Sequence, residues 1–224
     1  MQSREIIITA DGSHTLFVPA MNEPYHSVNG ALSESMHVFI GQGYRYFRDI
    51  SELTVLEIGF GTGLNCLLTL LEARRSGTGT RYCALELYPL PAAITSSLNY
   101  SEMAGPDGKS LFNEIHASPW GVWSRLTPEF ELLKLEENFT TCPASLLPLS
   151  RLVYFDAFGP EKQPAMWTRE LFEKLVGRMT PGGVLVTYSA RGSVRRDLAA
   201  AGLTMERLPG PPGKREMLRG IKAL

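Results

Sequence analysis

The sequence predicts an α/β fold, a parallel sheet with helices on its faces, and three observations carry that prediction. From Val55 onward, short apolar strands alternate with helical periodicities. A glycine-rich turn, VLEIGFGTGLN from Val55 to Asn65, joins the first of these strands to the first helix. The chain has 224 residues, enough for one domain to bury most of its unfolded surface around a single core.

In chain order, REIIITADGSHTLFV reads as two short strands joined through Asp11-Gly12, a pair suited to a tight hairpin turn. An accessory hairpin therefore precedes the main fold. Ala31 to Ile40 has a helical pattern that the glycines at 41 and 43 end. Residues 1–50 are thus expected to form an N-terminal extension packed on the main domain, residues 51–224. In that domain Val55 to Ile58 is a buried strand, Leu64 to Arg75 a helix, Tyr82 to Leu87 a second strand and Ala92 to Met103 another helix. Residues 104–128, with two tryptophans and several prolines, are expected to be irregular. Phe130 to Leu135 and Leu152 to Asp156 give a third and a fourth strand. Pro164 suits a helix start, and Leu171, Phe172, Leu175, Val176 and Met179 repeat at helical spacing as a core face until Pro181-Gly182-Gly183. Val184 to Tyr188 is a fifth strand, Val194 to Ala201 a helix, and strands near Leu203 to Leu208 and Glu216 to Ile221 close the chain.

Composition narrows the function. No apolar run approaches the ~20 residues that span a bilayer, so a soluble, cytoplasmic protein with no membrane partner is expected. Cys66, Cys83 and Cys142 show no C-x-x-C spacing, and His14, His26, His37 and His116 no paired ligand spacing; no metal is expected. The net charge of −1 hides an asymmetry: from Arg191 onward eight basic residues face three acidic ones, a local +5, while the other 14 bases and 20 acids give −6. A solvated surface explains such a run, and so does attraction to a polyanion such as RNA.

The glycine loop excludes two familiar sites. A G-x-G-x-x-G fingerprint starting at Gly59 needs glycine at position 64, where leucine stands, which disfavours a nicotinamide or flavin site. A phosphate-binding P-loop needs Gly-Lys-Ser or Gly-Lys-Thr, which is missing. What remains is E-x-G-x-G-x-G. Its glycines let backbone approach a ligand, its amides suit a carboxylate, and Glu57 suits an ammonium. A zwitterionic amino acid meets both demands. Glu86 closes the second strand, where a carboxylate can accept both hydroxyls of a ribose at about 1.5–3 kcal/mol per bond.

The loop, Glu86 and the Met-Thr-Pro-Gly-Gly passage before the fifth strand resemble the class I S-adenosylmethionine-dependent methyltransferases. That resemblance implies a Rossmann-like sheet, mostly parallel with an antiparallel last strand. It implies S-adenosylmethionine as methyl donor, with no metal and no flavin. It places Glu57, Gly59, Phe60, Gly61, Gly63 and Asn65 at the donor's amino acid end, Glu86 at its ribose, and Asn138, where relatives commonly carry aspartate, at its adenine through the amide oxygen.

Downstream the resemblance narrows. YFDAFGPEKQPAMWTRELFEKL (Tyr154 to Leu175), VTYSARGSVRRDLAAAGL, GKREMLRG and the early YHSVNGALSESMHVFIGQG look like the methyltransferase portion of the tRNA 5-methylaminomethyl-2-thiouridine biosynthesis bifunctional protein family. It implies conversion of 5-aminomethyl-2-thiouridine at the tRNA wobble position to its methylaminomethyl form by a stand-alone methyltransferase. A separate flavin-dependent oxidase would supply the amine, and the tRNA anticodon region would be the partner. On this reading Asp156 holds the substrate ammonium and takes or relays its proton, or else caps the following turn. Phe158 and Pro160 shape the slot, and Trp167 stacks on the base or lies in the core. Glu34 reaches the methionine amine or the substrate, or is a helix-surface acid. Arg191, Arg195, Arg196, Lys214 and Arg215 grip phosphates. The usual Asn/Asp-Pro-Pro-aromatic tetrad of amino-methyltransferases is replaced here by DAFG. A small-molecule amine methyltransferase and a catalytically silent nucleoside-binding module share the donor features.

Overall fold

The computed structural model describes residues 3–103 and 105–224. Met1, Gln2 and Ala104, which open the 1–50 and 104–128 segments, lie outside the described residues. Strands β1 (Glu5–Ile8), β2 (His14–Val18) and β3 (Glu23–Pro24) form a small antiparallel sheet. Helix α1 (Ala31–Ser35) runs into a π-helical turn, Met36–Gly41, ending at the expected glycine. The second sheet has eight strands: β4 (Glu52–Ile58), β5 (Gly79–Glu86), β6 (Ser124–Thr127), β7 (Phe130–Glu136), β8 (Ser150–Phe155), β9 (Met179–Thr187), β10 (Leu203–Pro209) and β11 (Glu216–Lys222). Its order is β10-β11-β9-β8-β4-β5-β7-β6. The five inner strands β9, β8, β4, β5 and β7 are parallel, and β11 runs antiparallel to β9, as expected of the last strand. Around the sheet lie α2 (Leu64–Ser76), α3 (Ala92–Thr95), α4 (Tyr100–Met103), α5 (Gly108–Ala117), α6 (Arg169–Val176) and α7 (Gly192–Ala200).

Alternation along the central strands builds two cores. Val55, Leu152 and Tyr154 point to one face with Leu67, Phe39 and Val186; Leu56, Ile58, Val153 and Phe155 point to the other with Phe172, Leu175 and Leu198. Because both faces are covered, these strands read as continuous apolar runs. The N-terminal residues Leu16, Ala31, Val38 and Ile40 belong to the first core.

The expected hairpin is present, its strands joined through Asp11-Gly12 with Gly12 at positive φ, and the Asp11 carboxylate accepts bonds from Ser13 and Ser33 and props the loop on α1. Three local expectations are corrected. The helix expected over Ala92 to Met103 is broken into α3 and α4. Asn99, which starts the second piece, bonds the hairpin through His14 N at 2.8 Å and Gly12 O at 2.9 Å, and the hydroxyls of Ser96 and Ser97 fold back on Ala93 O. The 104–128 segment is not irregular: α5 buries Leu111, Phe112 and Ile115, and β6 adds an antiparallel edge to β7. The helix before the fifth strand stops at Val176, and Thr180 to Gly183 fall in a bulge of β9, between the pairs Ser150–Met179 and Leu152–Val184. A bulge is where proline and glycine are tolerated inside a sheet.

Among these strands β4, β5 and β7 progress toward one edge and β8 and β9 toward the other, so strand order reverses between β4 and β8. The carboxyl ends of those two strands are where open sheets of this kind bind ligands.

Candidate active site

The site grows from the end of β4. Gly59 has φ +96°, and a Cβ there would lie 2.5 Å from Asp156 O, so any side chain would force the loop off the end of β8. Gly61 has φ +51°; its N–H donates to Glu86 Oε2 at 2.9 Å, and a Cβ would press the Tyr25 ring at 3.2 Å. Gly63 begins α2 without a capping side chain, leaving the helix start open to an anion. Phe60, 4% exposed, packs edge-on against His116 and Trp120 and anchors the loop between its glycines.

Beneath the loop three polar side chains meet. Asn65 Nδ2 donates to Glu57 Oε1 at 3.0 Å and to Asp156 Oδ2 at 2.8 Å. Glu57 is 1% exposed, and its Oε2 and Asn65 Oδ1 are buried without a hydrogen-bond partner. Burial pushes the Asp156 carboxyl up to about 7, helped by the negative Glu34 and opposed by the Asn65 bond and Lys214. Burial likewise holds Glu57 well above the carboxylate range, with Asn65 opposing and Asp156 adding to the shift.

Glu86 receives Gly61 N–H on Oε2 and Tyr88 N–H on Oε1 at 2.9 Å, so its carboxylate is fixed at the pocket edge with lone pairs to spare. Glu34 is not a surface acid. At 5% exposure it accepts from Ser27 N–H at 2.8 Å and pairs with Lys214 Nζ at 2.5 Å. Lys214 in turn lies 4.0 Å from the centre of the Tyr188 ring, whose hydroxyl donates to Ala157 O. Phe158 forms a pocket wall, edge-to-face with Tyr25 at 5.0 Å.

One expected contact, that of Asn138, is corrected, and of the two readings of Trp167 the structure takes the core. Asn138 lines the pocket, but its Oδ1 accepts from both the N–H and the hydroxyl of Thr140, at 2.9 and 2.8 Å, so that oxygen closes its own turn and is not turned to an adenine. Trp167 is 6% exposed and packed against Phe155, Phe172 and Tyr188. Its ring is core; its Nε1–H donates to Phe158 O at 2.7 Å and so fixes the slot from behind.

Pro160, Arg191, Lys214 and Arg215 line a second groove beside the pocket, together with Lys162 and Tyr188. Arg191 is paired with Glu161 there. Arg195 and Arg196 follow on α7, outside that lining, Arg196 exposed and Arg195 half-buried.

The pocket also takes residues that the sequence did not mark: Arg4, Met21, Tyr25 and His26 from the N-terminal extension, and Tyr88 and Gln163. Arg4 Nε donates to the Tyr25 hydroxyl at 3.1 Å, and His26, hydrogen-bonded to Thr15, is kept neutral by burial, which lowers it to about 4. Tyr25 and His26 open the quoted YHSVNG segment, so a signal existed; nothing local in it says that a hairpin closes a pocket built 35 residues later.

The chain is similar to known proteins. A family model described as S-adenosyl-L-methionine-dependent methyltransferase matches residues 144–223. The tRNA 5-methylaminomethyl-2-thiouridine biosynthesis bifunctional protein MnmC of Aeromonas hydrophila is 32% identical over 220 residues, covering 89% of this chain and 32% of its own length. The MnmC of Pseudomonas fluorescens is 34% identical over 212 residues, with the same coverage. The chain belongs to the S-adenosyl-L-methionine-dependent methyltransferases. It spans about a third of the length of the curated MnmC relatives it matches. The crystal structure of MNMC2 from Aquifex aeolicus superposes on 98% of this methyltransferase and 70% of that chain, with TM-score 0.78 and 24% identity, and the spermidine synthase of Thermotoga maritima on 99% and 69%, with TM-score 0.58 and 11% identity; both show the shared fold.

The pocket fits the donor that this methyltransferase family uses. Glycines leave room where a Cβ would collide, a fixed carboxylate stands at the end of β5, and unpartnered buried oxygens lie beneath the loop. Among the described residues no three His, Cys, Asp or Glu side chains gather as a metal site, and no helix is long and apolar enough to cross a membrane.

Proposed function

We propose that this methyltransferase transfers a methyl group to the primary amine of 5-aminomethyl-2-thiouridine at the wobble position of tRNA. The observation that carries the reading is Asp156, a buried carboxyl that shares one pocket with the glycine loop and Glu86 and is walled by Phe158. The names of the relatives that match over 89% of the chain support the substrate.

Bound S-adenosylmethionine supplies a methyl group activated by a positively charged sulfur. The backbone at Gly59 to Gly63 and the start of α2 would hold the donor's carboxylate, the oxygens of Glu57 and Asn65 its ammonium, and Glu86 its ribose. Asp156 Oδ2 is occupied by Asn65, which leaves Oδ1 for the substrate. With a pKa near 7, Asp156 is matched to receive a proton from an alkylammonium around neutrality and release it to water, presenting a neutral nitrogen lone pair. Phe158 and Tyr25, packed edge to face, would wall the amine on one side and exclude water there, so that placement supplies much of the rate. The groove beside Pro160, with Arg191, Lys214 and Arg215, lies where the flanking phosphates of the anticodon region would pass, and Arg195 and Arg196 extend the basic surface along α7. A flavin-dependent oxidase, on this protein or on another, would generate the amine.

The test incubates the protein with S-adenosylmethionine and tRNA bearing the 5-aminomethyl group, with free alkylamines in parallel, and analyses digested nucleosides by mass spectrometry. Gain of one methyl on the wobble nucleoside supports the proposal. Methylation of free amines alone identifies a small-molecule enzyme, and donor binding without turnover of either identifies a silent module.

A further inference from the structure

The cluster beneath the glycine loop has more acid than base. Glu57 and Asp156 share the two hydrogens of one amide, Asn65 Nδ2, and Glu34 acts on Asp156 from α1. The cation facing them, Lys214 from the β10–β11 connection, is already given to Glu34 at 2.5 Å. Of the other titratable neighbours, Glu86 at the end of β5 is a further acid, Tyr82, Tyr154 and Tyr188 are phenols and Cys66 a thiol held neutral by burial, His26 is a buried neutral imidazole, and Arg4, a cation of the pocket lining, donates to the Tyr25 hydroxyl at 3.1 Å. Three carboxyls against one ammonium leave buried charge that a proton can cancel.

Resting on the reading of this pocket as the donor site, we propose that Glu57, Asn65 and Asp156 form a proton-holding unit: the carboxyl pair retains one proton while the pocket lacks a cation and releases it to solvent when the cationic donor binds, with Asn65 as the positioning residue. Three geometric facts point there. Both amide hydrogens of Asn65 are spent on the pair, so the amide tolerates two carboxyls but cannot neutralise them. Glu57 Oε2 and Asn65 Oδ1 are buried without partners, and they are acceptor atoms that an ammonium satisfies. Asp156 and Asn65 line the pocket, and Glu57, buried in β4, is joined to Asp156 through the Asn65 amide, so a positive charge entering the pocket is felt by each carboxyl. The step is a simple dissociation: the carboxyl O–H breaks, its electron pair stays on oxygen, and the proton passes to water and buffer. The pair titrates as a unit, so the proton belongs to both residues.

The experiment is calorimetry of S-adenosylmethionine binding to the full chain in two buffers of different ionisation enthalpy, from about pH 6 to about pH 9. The proposal expects close to one proton released per donor at the acid end, falling toward zero at the alkaline end, with donor Kd tightening up to tenfold per pH unit below about pH 7 and levelling above. Asp156→Asn should abolish the proton release while donor heat remains. Asn65→Ala removes the bond that favours the charged form and should move the midpoint of release upward. Donor binding with no proton exchange at the acid end overturns the proposal and leaves the donor site standing. Absence of any binding heat overturns both. An unchanged midpoint in Asn65→Ala overturns the positioning role, and if that variant fails to fold, Asn65→Ser, which keeps one donor, gives the same readout.

Discussion

Asn65 Nδ2 lies 2.8 Å from Asp156 Oδ2, tying the first turn of α2 to the end of β8 across 91 residues of sequence. The contact crosses the point where strand order reverses, and it turns a topological crevice into a chemical site.

A buried carboxyl adapted for proton transfer is a stability cost above its unfolded pKa. Asp156 binds its proton more tightly folded, at about 7 against the ordinary 3.8, so its favourable contribution is full below the unfolded value and is lost as pH rises toward 7. Asp156→Asn keeps an acceptor for Asn65 and removes the charge. It should abolish methyl transfer and raise Tm by a few degrees at about pH 8, ~2–4 °C per kcal/mol, with little change at about pH 5. Thermal scans at both values check this, and a lower Tm at the alkaline value would refute it.

Gly61 combines a positive φ with a ring at van der Waals limit. Gly61→Val should weaken donor binding at least tenfold, since a β-branched side chain must push Tyr25 into the pocket or tilt the loop away from Glu86. Donor titration of a variant with wild-type circular dichroism decides; unchanged affinity would exclude the loop as the donor cradle.

Much of this was legible in the sequence because the central strands are buried on both faces and the glycines mark the crevice. Glu57 lies in β4, Gly59 and Gly61 in the turn to α2 and Glu86 at the end of β5, positions that local strand-to-helix geometry fixes. Most of what the sequence did not decide depends on distant contact: Tyr25 and Arg4 reach the pocket through a separate small sheet, and Phe155 and Phe172 settle Trp167 in the core. Asn138 differs, its Oδ1 being consumed by a neighbour two residues away. Helix α5 was hidden because Gly105, Pro106 and Pro119 flank a short apolar face whose partner, Tyr100, belongs to another broken helix.

Lys214 opposes the rise in Asp156. Replacing it, Lys214→Met, should move the acid limb of the pH–rate profile upward, because the Asp156 carboxylate loses a nearby cation and Glu34 is left buried beside it. A destabilisation of about 1–3 kcal/mol accompanies the unpaired Glu34. The pH dependence of kcat/KM is the readout, and a limb that stays in place contradicts the electrostatic link.

Trp167 acts through Phe158. Trp167→Phe keeps the core ring but deletes the 2.7 Å bond to Phe158 O, so acceptor KM should rise several-fold while donor Kd is unchanged. Parallel change in both constants would mean that the loop is held some other way.

Arg215 in the groove lining and Arg196 beside it are exposed cations, as is Arg191, which is paired with Glu161. If Arg196 and Arg215 meet phosphates, tRNA affinity should fall with salt, and each alanine substitution should lower the log–log slope by ~0.7–0.9. A slope that neither substitution alters would move the RNA to another face.

Crystals soaked with S-adenosylmethionine test the central claim most directly. Density for the donor should lie between the Gly59–Gly61 backbone and Glu86, with its amine over Asn65 and its methyl toward Asp156. Density seated instead in the groove of Arg191 and Lys214, or none in a crystal whose pocket is open to solvent, would contradict the account.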